Sequence, residues 1–137
     1  MEKALTIEHA PVADVLDLLN RAGTARADTT GGTASITELC SGPNALAFAV
    51  IADGQRVGAY CVKLVDHETA RVAWVQAAGG HLPGADLTAE IIPAIEAQAA
   101  QAFGADQVAI TTRRRALVAK LLGMGFQVTG ITLRKNL

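Results

Sequence analysis

A chain of 137 residues with 12 Lys and Arg set against 13 Asp and Glu, for a formal charge of −1, has the length of one domain and lacks the basic excess that nucleic-acid binders carry. Half of its residues are apolar, yet no uncharged apolar run reaches the roughly 18 residues of a membrane helix; Gly42, Pro43 and Asn44 interrupt the stretch from Leu39 to Ala52. The two cysteines, Cys40 and Cys61, are too few and too irregularly placed for a metal site or a disulfide framework and read as small buried apolar groups.

The start, Met1-Glu2-Lys3-Ala4, lacks the basic residues and apolar segment of a secretory signal, so a cytoplasmic location is expected. Pro11 to Ala22 places Val12, Val15, Leu16 and Leu19 at helical spacing, with Pro11 in the tolerated first turn and Gly23 as the stop. From Thr24 to Asn44 the composition turns to Thr, Gly, Ala and Ser, anchored by Ile36 and Leu39, which predicts a long irregular segment. Two strands follow, Ala45 to Ala52 and Arg56 to Val65, joined by the hairpin signal Asp53-Gly54. A third β-rich run, Arg71 to Ala77, extends them into a meander, and His67, between Asp66 and Glu68, marks its charged tip. Trp74 in that run reads either as a sheet-face packing residue or as the wall of a ligand pocket.

Beyond the meander the apolar period lengthens to about 3.6. Leu87, Ile91, Ile95, Ala99 and Phe103 form one helical stripe that Gly104 ends, with Pro93 either starting the helix or kinking its first turns. An apolar strand over Val108, Ala109 and Ile110 comes next, then a helix opening at Thr112-Arg113 and closing at Gly125, then a final strand from Phe126. The whole of 1–137 is therefore expected to form one α/β domain with a mixed, mostly antiparallel central sheet flanked by helices. Walker, nucleophile-elbow, His-Glu-x-x-His and dinucleotide patterns are all missing.

The order strand, helix, Gly125-Phe126 and strand resembles the carboxyl-terminal half of the Gcn5-related N-acetyltransferase superfamily, and the likeness in element order runs over about residues 5 to 135. The second short helix usual after the first is not evident in the sequence. The stretch Arg113 to Leu137 also resembles small acetyltransferase-like proteins of phage and prophage clusters. The resemblance implies a splayed pair of strands that takes acetyl-coenzyme A, with backbone amides around Val75, Gln76 and Ala77 holding the pantetheine arm. It places the phosphates on the loop carrying Gly79, Gly80, Gly84 and Ala85. Asp86 and Glu90 put negative charge beside that loop, an arrangement suited to capping a helix and poor for an anion.

Arg113, Arg114 and Arg115 crowd the start of the last helix, where positive charge opposes the dipole, and this invites either an anion or a solvated basic turn. Arg113 and Arg114 thus join the cofactor candidates. The Gly125-Phe126 alignment puts Leu121 where the family commonly has its tyrosine acid, so the catalytic candidates become His81, Tyr60 and Glu38, each with a plainer structural reading; Cys61 and Cys40 are weaker alternatives. No metal is implied. Two functions follow: an acyl-coenzyme A-dependent N-acyltransferase in which a small-molecule or protein amine attacks the thioester directly, or an inactive structural or interaction module of the same fold. Apolar Phe126, Val128, Ile131 and Leu133 add a homodimer through the last strand as an expectation.

Overall fold

Asp53 and Gly54 both adopt positive φ, 50° and 75°, as a two-residue type I′ turn requires, and they join β2 (Ala45–Ala52) to β3 (Gln55–Asp66). The computed structural model describes residues 5–20, 28–82, 84 and 86–137. Its sheet has the order β1-β2-β3-β4-β5, with β1 at Leu5–His9, β4 at Arg71–Gly80 and β5 at Gln107–Ile110. The first four strands are antiparallel neighbours, and β5 joins β4 in parallel. The fold class is thus the one the sequence predicts.

Residue size differs sharply between the two faces of the meander. Ala47, Ala49, Ala59, Cys61 and Ala77 point to one side and form a core with Val15 and Leu19 of α1 (Val12–Leu19) and with Cys40. Small side chains there let α1 lie close to the sheet. Phe48, Val50, Tyr60, Val62 and Ala73 point to the other side, under Ile91, Ile92, Ile95 and Ala99 of α3 (Leu87–Gln101) and Leu121 of α4 (Arg115–Gly123). Burying each of those isoleucines contributes roughly 1.5–3 kcal/mol. Asp86 starts α3 by accepting the Ala89 N–H at 3.3 Å, and the helix runs on through an outward-facing Pro93. Among the described residues no helix is long and apolar enough to cross a membrane.

Two expectations need correction, and one strand went unpredicted. That strand is Leu5–His9, in register with β2 from Leu5↔Ala52 to His9↔Phe48. The predicted irregular segment contains a short helix, α2 (Ile36–Leu39), whose start is fixed by the Ser35 hydroxyl accepting the Glu38 N–H at 3.1 Å. The final strand from Phe126 does not form. A strand needs a ladder partner, and among the described residues no strand pairs with 124–137; Ile131 and Leu133 are 85 % and 90 % exposed. The stop at Gly23 lies outside the described residues.

Candidate functional site

The β4–β5 ladder is short. It starts where Asp106 and Arg71 are tied together, the Arg71 N–H donating to Asp106 Oδ2 at 2.9 Å and the Asp106 N–H to the Arg71 carbonyl at 2.8 Å. It runs from Val72↔Gln107 to Val75↔Ile110 and stops there. β4 continues to Gly80 against β3 alone. Gln76 is the reason the strands part: Val75 pairs with Val62 and Ala77 with Cys61, so Gln76 is an extra residue, and such a bulge bends its strand and increases the twist. On the β5 side the chain leaves the sheet through a turn in which the Thr112 hydroxyl accepts the Arg114 N–H at 3.1 Å. The result is a fork whose β4 arm, Gln76 to Gly80, has on the side away from β3 no strand partner among the described residues.

A depression of about 700 Å³ opens beside the end of that arm, lined by Gly80, His81, Leu82, Gly84, Asp86, Leu87, Arg114 and Lys120. Gly80 must be glycine. Its φ is +145°, and a Cβ there would lie 2.4 Å from the Val57 carbonyl oxygen. Lys120 Nζ sits 3.0 Å from Asp86 Oδ2. That hydrogen bond, with the one from the Ala89 N–H, holds the Asp86 carboxyl below its usual range. Asp86 therefore occupies the start of α3, as its cap, while Lys120 neutralises it. The remaining lining, Arg114 with the backbone of Gly80 and Gly84, suits an anion, so the residues present fit the phosphates of a coenzyme A group.

A second cavity of about 220 Å³ lies at the fork itself. Trp74, Val75 and Gln76 of β4, Thr111 after β5, Leu39 of α2, Thr29, Thr30, Thr132 and Arg134 line it. Gly31, at φ +66°, passes directly under the Arg134 stem: a Cβ there would lie 2.9 Å from Arg134 Cδ.

The structure distributes the predicted site residues unevenly. Val75 and Gln76 line the fork cavity; Gly80, Gly84, His81 and Arg114 line the larger one. His81 is exposed, and its backbone N–H donates to the Val57 carbonyl at 2.9 Å. Gly79 pairs with Ala59, and Ala77 is buried towards α1. Arg113 donates through Nη1 to the Asp28 carbonyl at 3.3 Å and lines neither cavity. Ala85 lies outside the described residues. Tyr60 is wholly buried, its hydroxyl donating to Gln98 Oε1 at 2.6 Å, and burial pushes the phenol well above its ordinary range. Glu38 is exposed on α2 and reaches neither cavity.

Lys120, Thr111, Thr132 and Arg134 escape sequence reasoning. Lys120 is an ordinary surface lysine on a helix until α3 brings Asp86 beside it. Arg134 belongs to a segment that reads as a strand.

No protein-family model matches the chain, and no curated protein matches it in sequence. Solved structures do match in fold. A provisionally assigned acetyl transferase from Pyrococcus furiosus superposes with a TM-score of 0.71 at 12% identity, over 98% of this chain and 100% of that one. An acetyltransferase from Trypanosoma brucei gives 0.64 at 16%, over 98% and 100%. An aminoglycoside N-acetyltransferase, AAC(6')-Iy, in complex with CoA gives 0.65 at 13%, over 99% and 96%. At such identities the likeness establishes the fold, which is that of the Gcn5-related N-acetyltransferases.

Proposed function

We propose that the chain is an acyl-coenzyme A-dependent N-acyltransferase. The observation that carries the reading is the fork: a β4 arm with no strand partner on one side among the described residues runs from a small cavity at Gln76 to a basic depression at Gly80. Acetyl-coenzyme A, when bound, supplies the thioester carbonyl that an amine attacks. Backbone groups of Gln76 to Gly80 would hold an extended arm as an added strand, and Arg114 would hold its phosphates, with Lys120 neutralising Asp86 beside them. Val75, Trp74 and Leu39 would keep water from the reacting end.

Among the described residues that line the fork cavity none is a carboxylate or an imidazole. On this reading positioning supplies a large part of the rate acceleration, and a neutral amine attacks the thioester carbonyl, with coenzyme A leaving as the thiol. Of the three catalytic candidates only His81 borders a cavity, the one assigned to the phosphates.

One observation favours the second reading, an inactive module: the C-terminal segment brings Thr132 and Arg134 over the fork. The homodimer expectation belongs with either reading, since Val128, Ile131 and Leu133 are exposed. The test is melting with acetyl-coenzyme A followed by thiol release with a panel of amines. A ligand at about 100 times its Kd stabilises a fold by roughly 2.7 kcal/mol, a clear rise in Tm. Absence of both the rise and thiol release leaves only the module.

A further inference from the structure

Thr132 and Arg134, in the segment after α4, line the fork cavity and, like Ile131 and Leu133, remain exposed. The Arg134 stem lies against the 28–32 turn, where a Cβ on Gly31 would stand 2.9 Å from Arg134 Cδ.

The charge of the cavity is one-sided. Arg134 is its one charged lining residue among those described, and the rest of the polar lining is amide and hydroxyl. Asp28, one residue before Thr29, is not itself a lining residue. Its carboxylate is turned onto the neighbouring turn, accepting the Thr30 N–H at 2.9 Å, the Thr30 hydroxyl at 2.8 Å and the Gly32 N–H at 2.8 Å. A guanidinium offers paired donors that match a carboxylate or a phosphate. A polycationic amine would meet the like charge of Arg134 and, among the described lining residues, no carboxylate.

We infer that the acceptor is a small amine that also carries an anionic group, a carboxylate or a phosphate, which Arg134 binds while the amine faces the fork. The inference rests on the acyltransferase reading for the amine, and on this cavity alone for the anion. Size agrees: 220 Å³ falls below the roughly 300–1,000 Å³ of pockets that hold drug-sized ligands.

The experiment uses the full chain and matched probes: L-alanine against L-alaninamide, phosphoethanolamine against ethanolamine, and tobramycin as a polycation. Equilibrium binding is measured without acyl donor, and thiol release with acetyl-coenzyme A. The anionic member of at least one pair should bind at least tenfold more tightly than its neutral partner. Which pair does so separates carboxylate from phosphate. R134Q should reduce that preference to within twofold, R134K should keep part of it, and neither should change coenzyme A binding; Arg134 is exposed, so folding is not at stake. Equal binding within both pairs, preference for tobramycin, or a preference that survives in R134Q overturns the inference even where acyl transfer is found. An Arg134-dependent preference with no thiol release from any amine upholds anion recognition and removes the acyltransferase reading instead.

Discussion

Gly80 and Gly58 face each other across β4 and β3 so closely that a Cβ on Gly80 would stand 2.5 Å from Gly58 Cα, with Leu87 Cδ2 3.0 Å away. The contact seats the end of the fork's long arm beneath the start of α3. Gly80→Ala must shift backbone as well as adopt a positive φ that side chains disfavour, which costs on the order of 1–3 kcal/mol. Its Tm should fall by several degrees and its affinity for coenzyme A with it. Gly123→Ala is the control, since nothing lies within 4 Å of a Cβ there and a helical alanine stabilises by up to about 1 kcal/mol. Equal melting of the two variants would remove the close approach from the account.

Tyr60→Phe separates structure from chemistry. Removing the hydroxyl deletes the bond to Gln98 Oε1 on α3, and a single hydrogen bond of this kind contributes about 1 kcal/mol net. Urea unfolding should register a loss of that size, while the rate of thiol release stays within twofold of the parent. A rate loss of a hundredfold or more with unchanged stability would return Tyr60 to the catalytic machinery.

How legible these features were depended on how local their causes are. Asp53-Gly54 dictates its turn within two residues, so β2 and β3 could be placed from sequence, and the stripe from Leu87 to Phe103 likewise marked α3. Helix α2 also carried a local signal, Ser35 followed three residues later by Glu38, a capping pattern hidden in a stretch that composition alone makes irregular. Alternation of Leu5 and Ile7 with Thr6 and Glu8 was a local signal for β1 that went unread. The family resemblance implied a splay around Val75 to Ala77, but no local signal in the chain located the fork. Where β4 parts from β5 depends on an extra residue at Gln76 relative to β3 and on a turn after Ile110, two facts of register between distant segments. The same holds for Tyr60, whose burial is set by Gln98 and Phe48, and for Arg134, whose neighbours are a hundred residues away in the chain.

Arg114→Ala should weaken coenzyme A binding, read as a smaller rise in Tm at fixed ligand, whereas Glu68→Ala, at the exposed tip between β3 and β4, should not. Lys120→Ala should weaken binding at least as much as Arg114→Ala, because it removes a cation and leaves the Asp86 carboxylate unneutralised beside the phosphates. Identical shifts in the Arg114 and Glu68 variants would take the depression out of the proposed site.

Acid should destabilise the fold through carboxylates whose folded values are depressed. The Arg71 hydrogen bond does this to Asp66, the Lys120 bond to Asp86, and the Thr30 backbone N–H to Asp28, each from an ordinary value of 3.8. Such groups contribute stability in full above the unfolded value, and it is lost as pH falls through the lower folded value. Unfolding free energy should therefore hold steady from pH 7 to about 5 and drop below pH 4. Asp86→Asn keeps a good helix cap and removes the titration, so its curve should fall less steeply below pH 4. A slope equal to the parent's would mean that the Lys120 pairing has no energetic consequence.

Leu133→Asp and Ile131→Asp test the C-terminal segment. Both side chains are exposed, so neither change touches the core, and a monomeric chain should tolerate them with stability altered by no more than about 0.5 kcal/mol. The dimer expectation requires more. β5 is an edge strand of four residues whose outer N–H and C=O groups pair with no other strand among the described residues, and such an edge is a template for an added strand. An apolar segment beside it on a second copy would satisfy both needs. Sedimentation at micromolar concentration should then give a dimer for the parent and a monomer for either aspartate variant, with Arg134 unchanged. A parent chain that sediments as a monomer up to high micromolar concentration removes the dimer and leaves Ile131 and Leu133 simply exposed beside residues that line the fork cavity.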